Sequence, residues 1–195
     1  MKKAKKGKVT TSMVIPTYNR ADSLKKVFDC YVKQTVKFTE IVILDDSTNT
    51  ETKKLCDQYK KKLNIVYIKK DPNKRGMTIS TNIGIRKAKG DIIFLSEDDM
   101  MVSPDYVEAT LDFFEKTPNA VGMNWYPYAN QIETFNPIKN LVMRFFMLGH
   151  YKKDTVKVLP TMSEIYPHPI TKSVIPAERM CTGTCAVKSK QMKEF

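Results

Sequence analysis

The sequence predicts an α/β fold, with a mostly parallel sheet flanked by helices and a smaller region after it. Two observations support this prediction. Short runs rich in Val and Ile, each bounded by polar or turn residues, recur through the first half of the chain, which is typical of strands. Segments with helical spacing of apolar residues lie between those runs. Strands that alternate with helices need crossover connections, and such connections produce a parallel, Rossmann-like sheet.

Each element of the first half follows from its local pattern. Strands are predicted at residues 11–15, 40–44, 64–68 and 91–95. A helix is predicted after the first strand, because apolar residues recur there at the spacing of a buried helical stripe: Leu24, Val27, Phe28 and Tyr31. The helix before the fourth strand is expected to end at Lys89, with Gly90 as a left-handed cap. Ser103 and Pro104 are predicted as N-cap and first residue of the next helix.

Beyond residue 118 two further elements are predicted. Residues 120–125 have the pattern of a strand, and residues 140–148 form an apolar stretch interrupted by Arg144 and flanked by basic residues. Two interpretations of that stretch stay open. It is either an amphipathic helix that lies on an anionic membrane or a partly buried helix with a solvated basic edge.

Composition limits the classes of protein that the chain can belong to. A length of 195 residues with 42% hydrophobic content predicts one globular domain. The net charge of +12 predicts an anionic partner, which can be nucleic acid, an acidic membrane surface or a phosphorylated small molecule. Residues 1–8 are lysine-rich and are predicted to be a disordered basic tail.

Cysteine usage and hydropathy indicate the expected location. The four cysteines include no Cys-x-x-Cys pair, and only His150 and His168 are available as further zinc ligands, so a structural zinc site is not expected. No run has the length of a membrane span or the pattern of a signal peptide. The sequence therefore predicts a cytoplasmic protein that is soluble or peripheral to a membrane.

Polar residues follow all four predicted strands, where an open α/β sheet binds its ligands. These loops are residues 16–20, 45–49, 71–76 and 96–99. The last contains three consecutive acids, Glu97, Asp98 and Asp99, which repel one another unless a cation lies among them. Mn²⁺ or Mg²⁺ is the expected cation, with a substrate diphosphate among its ligands. The alternative is that these acids only favour the N-terminus of the helix that follows.

The loop after the second strand contains Asp45 and Asp46. A carboxylate there can accept a hydrogen bond from N3-H of uracil, with Tyr18 as an aromatic wall, while Arg75 can neutralise a phosphate. The alternative interpretation is a turn and a helix N-cap, which the same residue types also favour.

At these residues the chain resembles family-2 glycosyltransferases of the GT-A fold. The matching segments have the family's order and spacing, and they are residues 13–20, 41–47, 82–85 with Ala88 and 90–95, and 97–99 with Pro104. A weaker match at residues 182–187 is similar to the family's glycine-containing strand near the acceptor site. The resemblance implies a nucleotide-sugar-binding half at residues 9–117 and an acceptor-side half at 118–195, truncated at its C-terminus.

The resemblance also assigns site residues. It implies that the first loop lines the nucleotide pocket, that Asp45 or Asp46 reads the base, that Asp98 contacts the ribose or sugar and that Asp99 binds the metal. The full donor-binding set is then Pro16, Thr17, Tyr18, Asn19, Arg20, Asp45, Asp46, Arg75, Gly76, Asn82, Glu97 and Asp98. Ser96 and Thr81 depart from the family's pattern, which leaves the donor sugar open.

The mechanism implied is inverting transfer, in which a metal and nearby cations stabilise the leaving nucleoside diphosphate and a carboxylate deprotonates an acceptor hydroxyl. The family's base lies after the glycine-containing strand, about where this chain ends, so a longer polypeptide is expected. Within the chain, Glu178 is the candidate base and joins Asp98 as a catalytic candidate. A surface ion pair of Glu178 with Arg179 is the alternative.

Three functions are compared at this point. A transferase that uses a nucleotide sugar, with UDP favoured, is the first, and its acceptor can be a glycan, a lipid-linked molecule or a protein. The second is a nucleotide-sugar-binding module without transferase activity. The third, a nucleic-acid-binding domain, is disfavoured because the lysines are dispersed and the predicted cleft is acidic.

Overall fold

The computed structural model describes residues 9–125, 137–146, 150–152, 157–158, 164–167, 175–177 and 183–194. The chain forms two compact units. The first unit comprises Met1–Trp125 with Thr182–Phe195, and the second is Tyr126–Cys181. The sequence divides the chain at residue 118 into a donor-binding half and an acceptor-side half. That division stays a prediction, because it concerns function, whereas these units are defined by contacts within the chain.

The first unit contains a six-stranded sheet, and its strands are numbered along the whole chain. They are β1 (Thr11–Thr17), β2 (Glu40–Asp45), β3 (Ile65–Lys69), β4 (Ile92–Ser96), β5 (Gly122–Asn124) and β9 (Thr184–Lys188). The order across the sheet is β3-β2-β1-β4-β9-β5. Strands β1 to β4 are parallel, whereas β9 is antiparallel to both β4 and β5. The predicted α/β class and mostly parallel sheet are confirmed.

Helices cover both faces of this sheet, because alternate residues of each buried strand point to opposite sides. The helices of the unit are α1 (Ala21–Val32), α2 (Glu51–Tyr59), α3 (Met77–Lys87), α4 (Tyr106–Lys116) and α6 (Ser189–Lys193). On one face Met13 and Ile15 pack in one core with buried residues of α1, α2 and α4. On the other face Val14 belongs to a smaller core, and Gly84 of α3 lies so close that an added Cβ would be 2.3 Å from a methyl of Val14. Helix α3 therefore sits directly on β1 and β2.

Gly90 serves a different purpose from the predicted left-handed cap. Helix α3 ends at Lys87 with an extended Ala88, and Gly76 is the glycine with positive φ among the described residues. An added Cβ at Gly90 would lie 2.5 Å from the backbone nitrogen of Ser12. The prediction was wrong because the glycine is required by close approach to β1, which the local sequence does not reveal.

The predicted start of α4 was also wrong. The helix begins at Tyr106 with Asp105 as N-cap, and Ser103 and Pro104 lie in the preceding segment. Gln34, buried, donates to the carbonyl of Ser103 at 2.7 Å and accepts from the amide of Val107 at 3.2 Å. A side chain about 70 residues away thus provides the partner that a local cap residue normally supplies to a first-turn amide.

The second unit contains α5 (Pro137–Phe145) and a three-stranded sheet. Its strands are β6 (His150–Lys152), β7 (Lys157–Val158) and β8 (Glu164–Pro167), in the order β6-β8-β7. The helix predicted at residues 140–148 is confirmed, and α5 begins and ends three residues earlier than predicted. Among the described residues, no helix combines the length and the apolar character needed to cross a membrane.

Candidate functional site

The polar loops of the first unit meet beside the point where the strand order reverses. Strand β1 lies between β2 and β4, so the chain leaves β1 toward β2 and returns from β3 to the other side of β1. Such a switch point opens a crevice at the carboxyl ends of the strands, where α/β proteins bind ligands. The ends of β1, β2 and β4 that border it are Thr17, Asp45 and Ser96.

Arg20 provides a cation for the acids that follow β4. One guanidinium nitrogen lies 2.8 Å from Oδ1 of Asp98, and the other lies 2.6 Å from Oδ2 of Asp99. Its hydrogen bond with Asp99, together with the charges of both carboxylates, raises the pKa of Arg20 above its ordinary value. The repulsion that the sequence indicates is therefore relieved in part within the chain.

Asp98 and Asp99 differ in exposure and in what remains free for a ligand. Asp98 is buried, and Thr17 donates to its Oδ2 at 2.7 Å while Arg20 contacts its Oδ1. Burial raises the pKa of Asp98, although the hydrogen bond from Thr17 and the charge of Arg20 act in the opposite direction. The side chain of Asp99 remains 43% exposed. Asp99 is therefore the acid of this pair that can accept a further ligand.

This donor set fits a divalent cation that is completed by substrate. The described residues contain no group of three or more His, Cys, Asp or Glu side chains placed to hold an ion. Mg²⁺ and Mn²⁺ nevertheless bind through one or two carboxylates when waters and substrate phosphates supply the other ligands. Asp99 meets that requirement, and Glu97 lies beside the start of β9, 3.5 Å from where a Cβ on Gly183 would be. The assignment of Asp99 to a metal stays a prediction.

The carboxylate of Asp45 is buried and bonded to neighbouring residues of the fold. Its side chain is fully buried, and it accepts from the amide of Ser47 at 2.8 Å and from the hydroxyl of Tyr67 at 2.6 Å. Lys69 lies 3.3 Å from the same oxygen that Tyr67 binds. Burial opposes ionisation, but these hydrogen bonds outweigh it and hold the pKa of Asp45 below its ordinary value. Both carboxylate oxygens already have partners.

Asp46 has a different environment. Lys70, whose side chain is 2% exposed, donates to Oδ2 of Asp46 at 3.0 Å and to the hydroxyl of Ser80 at 2.6 Å. Lys70 also lies 3.0 Å from Oδ1, so its ammonium group is equally close to both carboxylate oxygens of Asp46. The side chain of Asp46 is 9% exposed, and its charge is compensated by this buried ion pair.

Two further contacts hold the loops in place. Asn19 adopts a left-handed backbone with φ of 52°, a conformation that Asn tolerates well, and its side chain bonds to the backbone and hydroxyl of Thr48. Arg75 lies 5.7 Å from the ring centre of Tyr18, which joins the loops after β3 and β1. Gly76 has φ of 135°, so a glycine is required where α3 begins.

The remaining predicted residues are placed as follows. Pro16 lies within β1 opposite Leu44, and Asn82 is exposed on α3. Glu178, the candidate base, lies outside the described residues.

The sequence analysis did not identify four side chains that hold the two acids after β2, namely Tyr67, Lys69, Lys70 and Ser80. The lysine pair at the end of β3 was the available signal, since it follows a strand just as the predicted acids do.

Comparison with known proteins decides the family. The family model described as Glycosyl transferase family 2 matches residues 12–187, which is most of the chain. The chain belongs to glycosyl transferase family 2.

Curated proteins with similar sequences come from several organisms. Glycosyltransferase GlyG of Streptococcus pneumoniae is 30% identical over 118 residues, which is 60% of this chain and 39% of GlyG. Chondroitin synthase of Escherichia coli is 28% identical over 109 residues, which is 55% of this chain and 16% of that protein. The matched region thus spans about two fifths or less of the length of these relatives.

Solved glycosyltransferase structures share the fold. The mannosyltransferase PcManGT from Pyrobaculum calidifontis, in complex with GDP-Man and Mn²⁺, matches with a TM-score of 0.63 and 14% identity. The match covers 95% of this chain and 46% of that one. The 1-349 fragment of S. aureus TarS in complex with UDP matches with a TM-score of 0.54 and 20% identity, over 65% of this chain and 40% of the fragment. These likenesses confirm the predicted fold.

Proposed function

We propose that this chain transfers a sugar from a nucleotide-sugar donor, with a UDP-sugar favoured, to an acceptor hydroxyl with inversion. The observation that carries the proposal is the pair of acid clusters on the two sides of β1, each in contact with basic residues of the chain. Family membership supports the reaction class. The named relatives include a chondroitin synthase, and solved neighbours bind UDP and GDP-Man.

In this proposal Asp46 reads the base. Asp45 is the other candidate, but its oxygens are occupied by Ser47, Tyr67 and Lys69. The carboxylate of Asp46, which Lys70 holds in a buried ion pair, can accept from N3-H of uracil and also from N1-H of guanine. Tyr18, 47% exposed, provides an aromatic surface at the same edge of the sheet.

The leaving diphosphate is stabilised by the cations of the crevice. Arg20 and Arg75 are arginines near the carboxyl ends of β1 and β3, and an arginine fork suits phosphate oxygens. A divalent ion held by Asp99 would add Lewis-acid stabilisation of the developing negative charge. Asp98 keeps Arg20 oriented toward the crevice through its 2.8 Å contact.

Glu178 is proposed as the acceptor base, on the sequence pattern alone. A base must come within hydrogen-bond reach of the acceptor hydroxyl. If Glu178 has this role, Glu178→Gln abolishes transfer while donor affinity is unchanged. An unaltered turnover number in that variant would remove Glu178 from the mechanism.

Two measurements test the proposed function: the affinity for a panel of nucleotides, and then product formation from the corresponding nucleotide sugars. Calorimetry with UDP, GDP and ADP, each with Mn²⁺ and with EDTA, is expected to rank UDP above ADP by about 1 to 3 kcal/mol, because adenine offers no ring N-H to Asp46. The corresponding nucleotide sugars are then incubated with glycan, lipid-linked and protein acceptors, and products are identified by mass spectrometry. Tight donor binding without any product would support the alternative, a binding module without transferase activity.

We also propose that the protein works at the surface of an anionic membrane, in the cytoplasm. Helix α5 exposes an apolar stripe with helical spacing at Ile138, Leu141, Val142 and Phe145. Arg144 on the same helix and Lys152 on β6 are exposed. This combination of apolar and basic groups is typical of helices that lie in a membrane interface. Sedimentation with vesicles tests it: binding to phosphatidylglycerol that Phe145→Glu abolishes is expected, and equal recovery with phosphatidylcholine would contradict the charge argument.

A further inference from the structure

Arg20 is fixed by its backbone more than by its side chain. It is the N-cap of α1, and its carbonyl oxygen accepts from the amide of Leu24 at 3.0 Å. The preceding residue, Asn19, is bonded to the loop after β2 through Ser47 and Thr48. The Arg20 side chain makes no capping hydrogen bond and is 48% exposed. Its guanidinium group can therefore change partners while the backbone stays in place.

The two acids that the guanidinium group joins hold it unequally. Asp98 is buried, its Oδ2 accepts from Thr17 at 2.7 Å, and Arg20 lies 2.8 Å from its Oδ1. The side chain of Asp99 is 43% exposed, and Arg20 is its one ion-pair partner among the described residues. Ion pairs at exposed positions are weak because water screens them, whereas a buried carboxylate loses much when its cation is removed. The contact with Asp99 is therefore the one that Arg20 gives up more easily.

Charge makes Arg20 a competitor of a divalent cation at these acids. Arg20 feels the negative charges of Glu97, Asp98 and Asp99 together. As long as Arg20 binds Asp99, one oxygen of that carboxylate is occupied, and a second cation beside the guanidinium group is repelled. A diphosphate has the reverse effect, because its oxygens attract an arginine fork as well as a metal ion. Arg20 is thus expected to act in opposite directions on the two ligands.

We propose that Arg20 couples the binding of the divalent cation to the binding of the donor diphosphate. In the free protein Arg20 binds both Asp98 and Asp99 and opposes binding of the cation alone. When the donor is bound, Arg20 keeps Asp98, releases Asp99 and turns the freed nitrogen to a phosphate oxygen. The inference rests on the proposed function and on the assignment of Asp99 to the metal. It adds that the cation binds well only together with a nucleotide, and that Arg20 is the reason.

The test is a pair of affinities that should change in opposite directions in Arg20→Met. Mn²⁺ alone is titrated by electron paramagnetic resonance of the free ion, and UDP is titrated by calorimetry in EDTA. Mn²⁺ is expected to bind about tenfold more tightly than to the unmodified protein, because Asp99 is released and a positive charge is lost. UDP in EDTA is expected to bind about tenfold more weakly, because a phosphate partner is lost. A residue that only positioned the loop would weaken both ligands when replaced.

Three further variants control this comparison. Arg20→Lys keeps the charge without the fork, so both affinities should lie between those of the unmodified protein and Arg20→Met, and it serves in place of Arg20→Met if that variant does not fold. When Asp99→Ala is added to Arg20→Met, the gain in Mn²⁺ affinity should disappear. Lys25→Met removes another exposed cation of the same helix, which pairs with Asp29, and it should leave both affinities unchanged.

The outcomes separate this inference from the function on which it rests. Mn²⁺ affinity that is unchanged or weaker in Arg20→Met, with UDP still bound by the unmodified protein, would overturn the coupling role of Arg20 and leave the proposed function in place. A gain in Mn²⁺ affinity that persists without Asp99 would overturn it as well, because the ion would then use another group. Absence of UDP binding by the unmodified protein would instead overturn the proposed function.

Discussion

The two acid pairs of the crevice, Asp45 with Asp46 after β2 and Asp98 with Asp99 after β4, are built on the same plan with different neighbours. In each pair the first acid is buried and hydrogen-bonded to neighbouring loops, whereas the second differs: the side chain of Asp46 is 9% exposed and that of Asp99 is 43% exposed. Two lysines from the end of β3 balance the charges of the first pair, whereas the second pair shares the single cation of Arg20. The second pair therefore keeps a net negative charge, which the first pair does not.

The pKa values show where the two structural acids differ. Asp45 receives hydrogen bonds from Ser47, Tyr67 and Lys69, and together they outweigh burial and lower its pKa. At Asp98 burial dominates, so its pKa is raised despite Thr17 and Arg20. The fold therefore favours the ionised form of Asp45 more strongly than the ionised form of Asp98. This difference predicts that replacing Asp45 with Asn will lower the free energy of unfolding more than replacing Asp98 with Asn.

The largest effect is expected for Asp45→Asn, which should lower the free energy of unfolding by about 3 kcal/mol at pH 7, because it leaves buried donors without a charged acceptor. The lowered pKa of Asp45 means that its stabilisation is complete above the ordinary carboxyl value of about 3.9 and is lost as pH falls through the folded-state value. Urea denaturation from pH 7 to pH 3 should show the difference from the unmodified protein shrinking below about pH 4. A pH-independent difference would contradict the assignment of charge.

An intermediate effect is expected for Asp99→Ala. Donor affinity in Mn²⁺ should fall about tenfold and become insensitive to EDTA, while thermal stability is unchanged, because Asp99 is exposed and directed to ligand. Asp105→Ala is the matched control, since Asp105 is an exposed acid of the same loop that makes no capping hydrogen bond. Equal UDP affinity with Mn²⁺ and with EDTA in the unmodified protein would refute the metal assignment.

The smallest effect is expected for Asp98→Asn, a loss of about 1 kcal/mol or less in metal-free buffer, because an amide oxygen can still accept from Thr17. The raised pKa reverses the pH dependence relative to Asp45. Stability of the unmodified protein relative to Asp98→Asn should decrease as pH rises through the ordinary carboxyl value toward the raised one. If the stability differences caused by Asp45→Asn and Asp98→Asn changed with pH in the same direction, the contrast between the two acids would be wrong.

The sequence by itself determined the sheet and the edge at which chemistry is expected. Short apolar runs rich in Val and Ile indicate the buried strands, and polar residues directly after those runs indicate the loops of the crevice. The strands appear within one or two residues of their predicted bounds. The acids at 45, 46, 98 and 99 were found in this way. Their individual partners and degrees of burial were not, because two neighbouring acids have the same local pattern.

Only the tertiary structure decided which partners each acid has. Arg20 meets Asp98 and Asp99 because β1 pairs with β4 across about 80 residues, and Lys70 meets Asp46 because β2 pairs with β3. The same holds for Gly90, which is needed for contact with Ser12, and for Gln34, which binds the start of α4. Each of these contacts joins residues distant in the chain. Local propensity carries no information about them, because strand pairing and register place the partners.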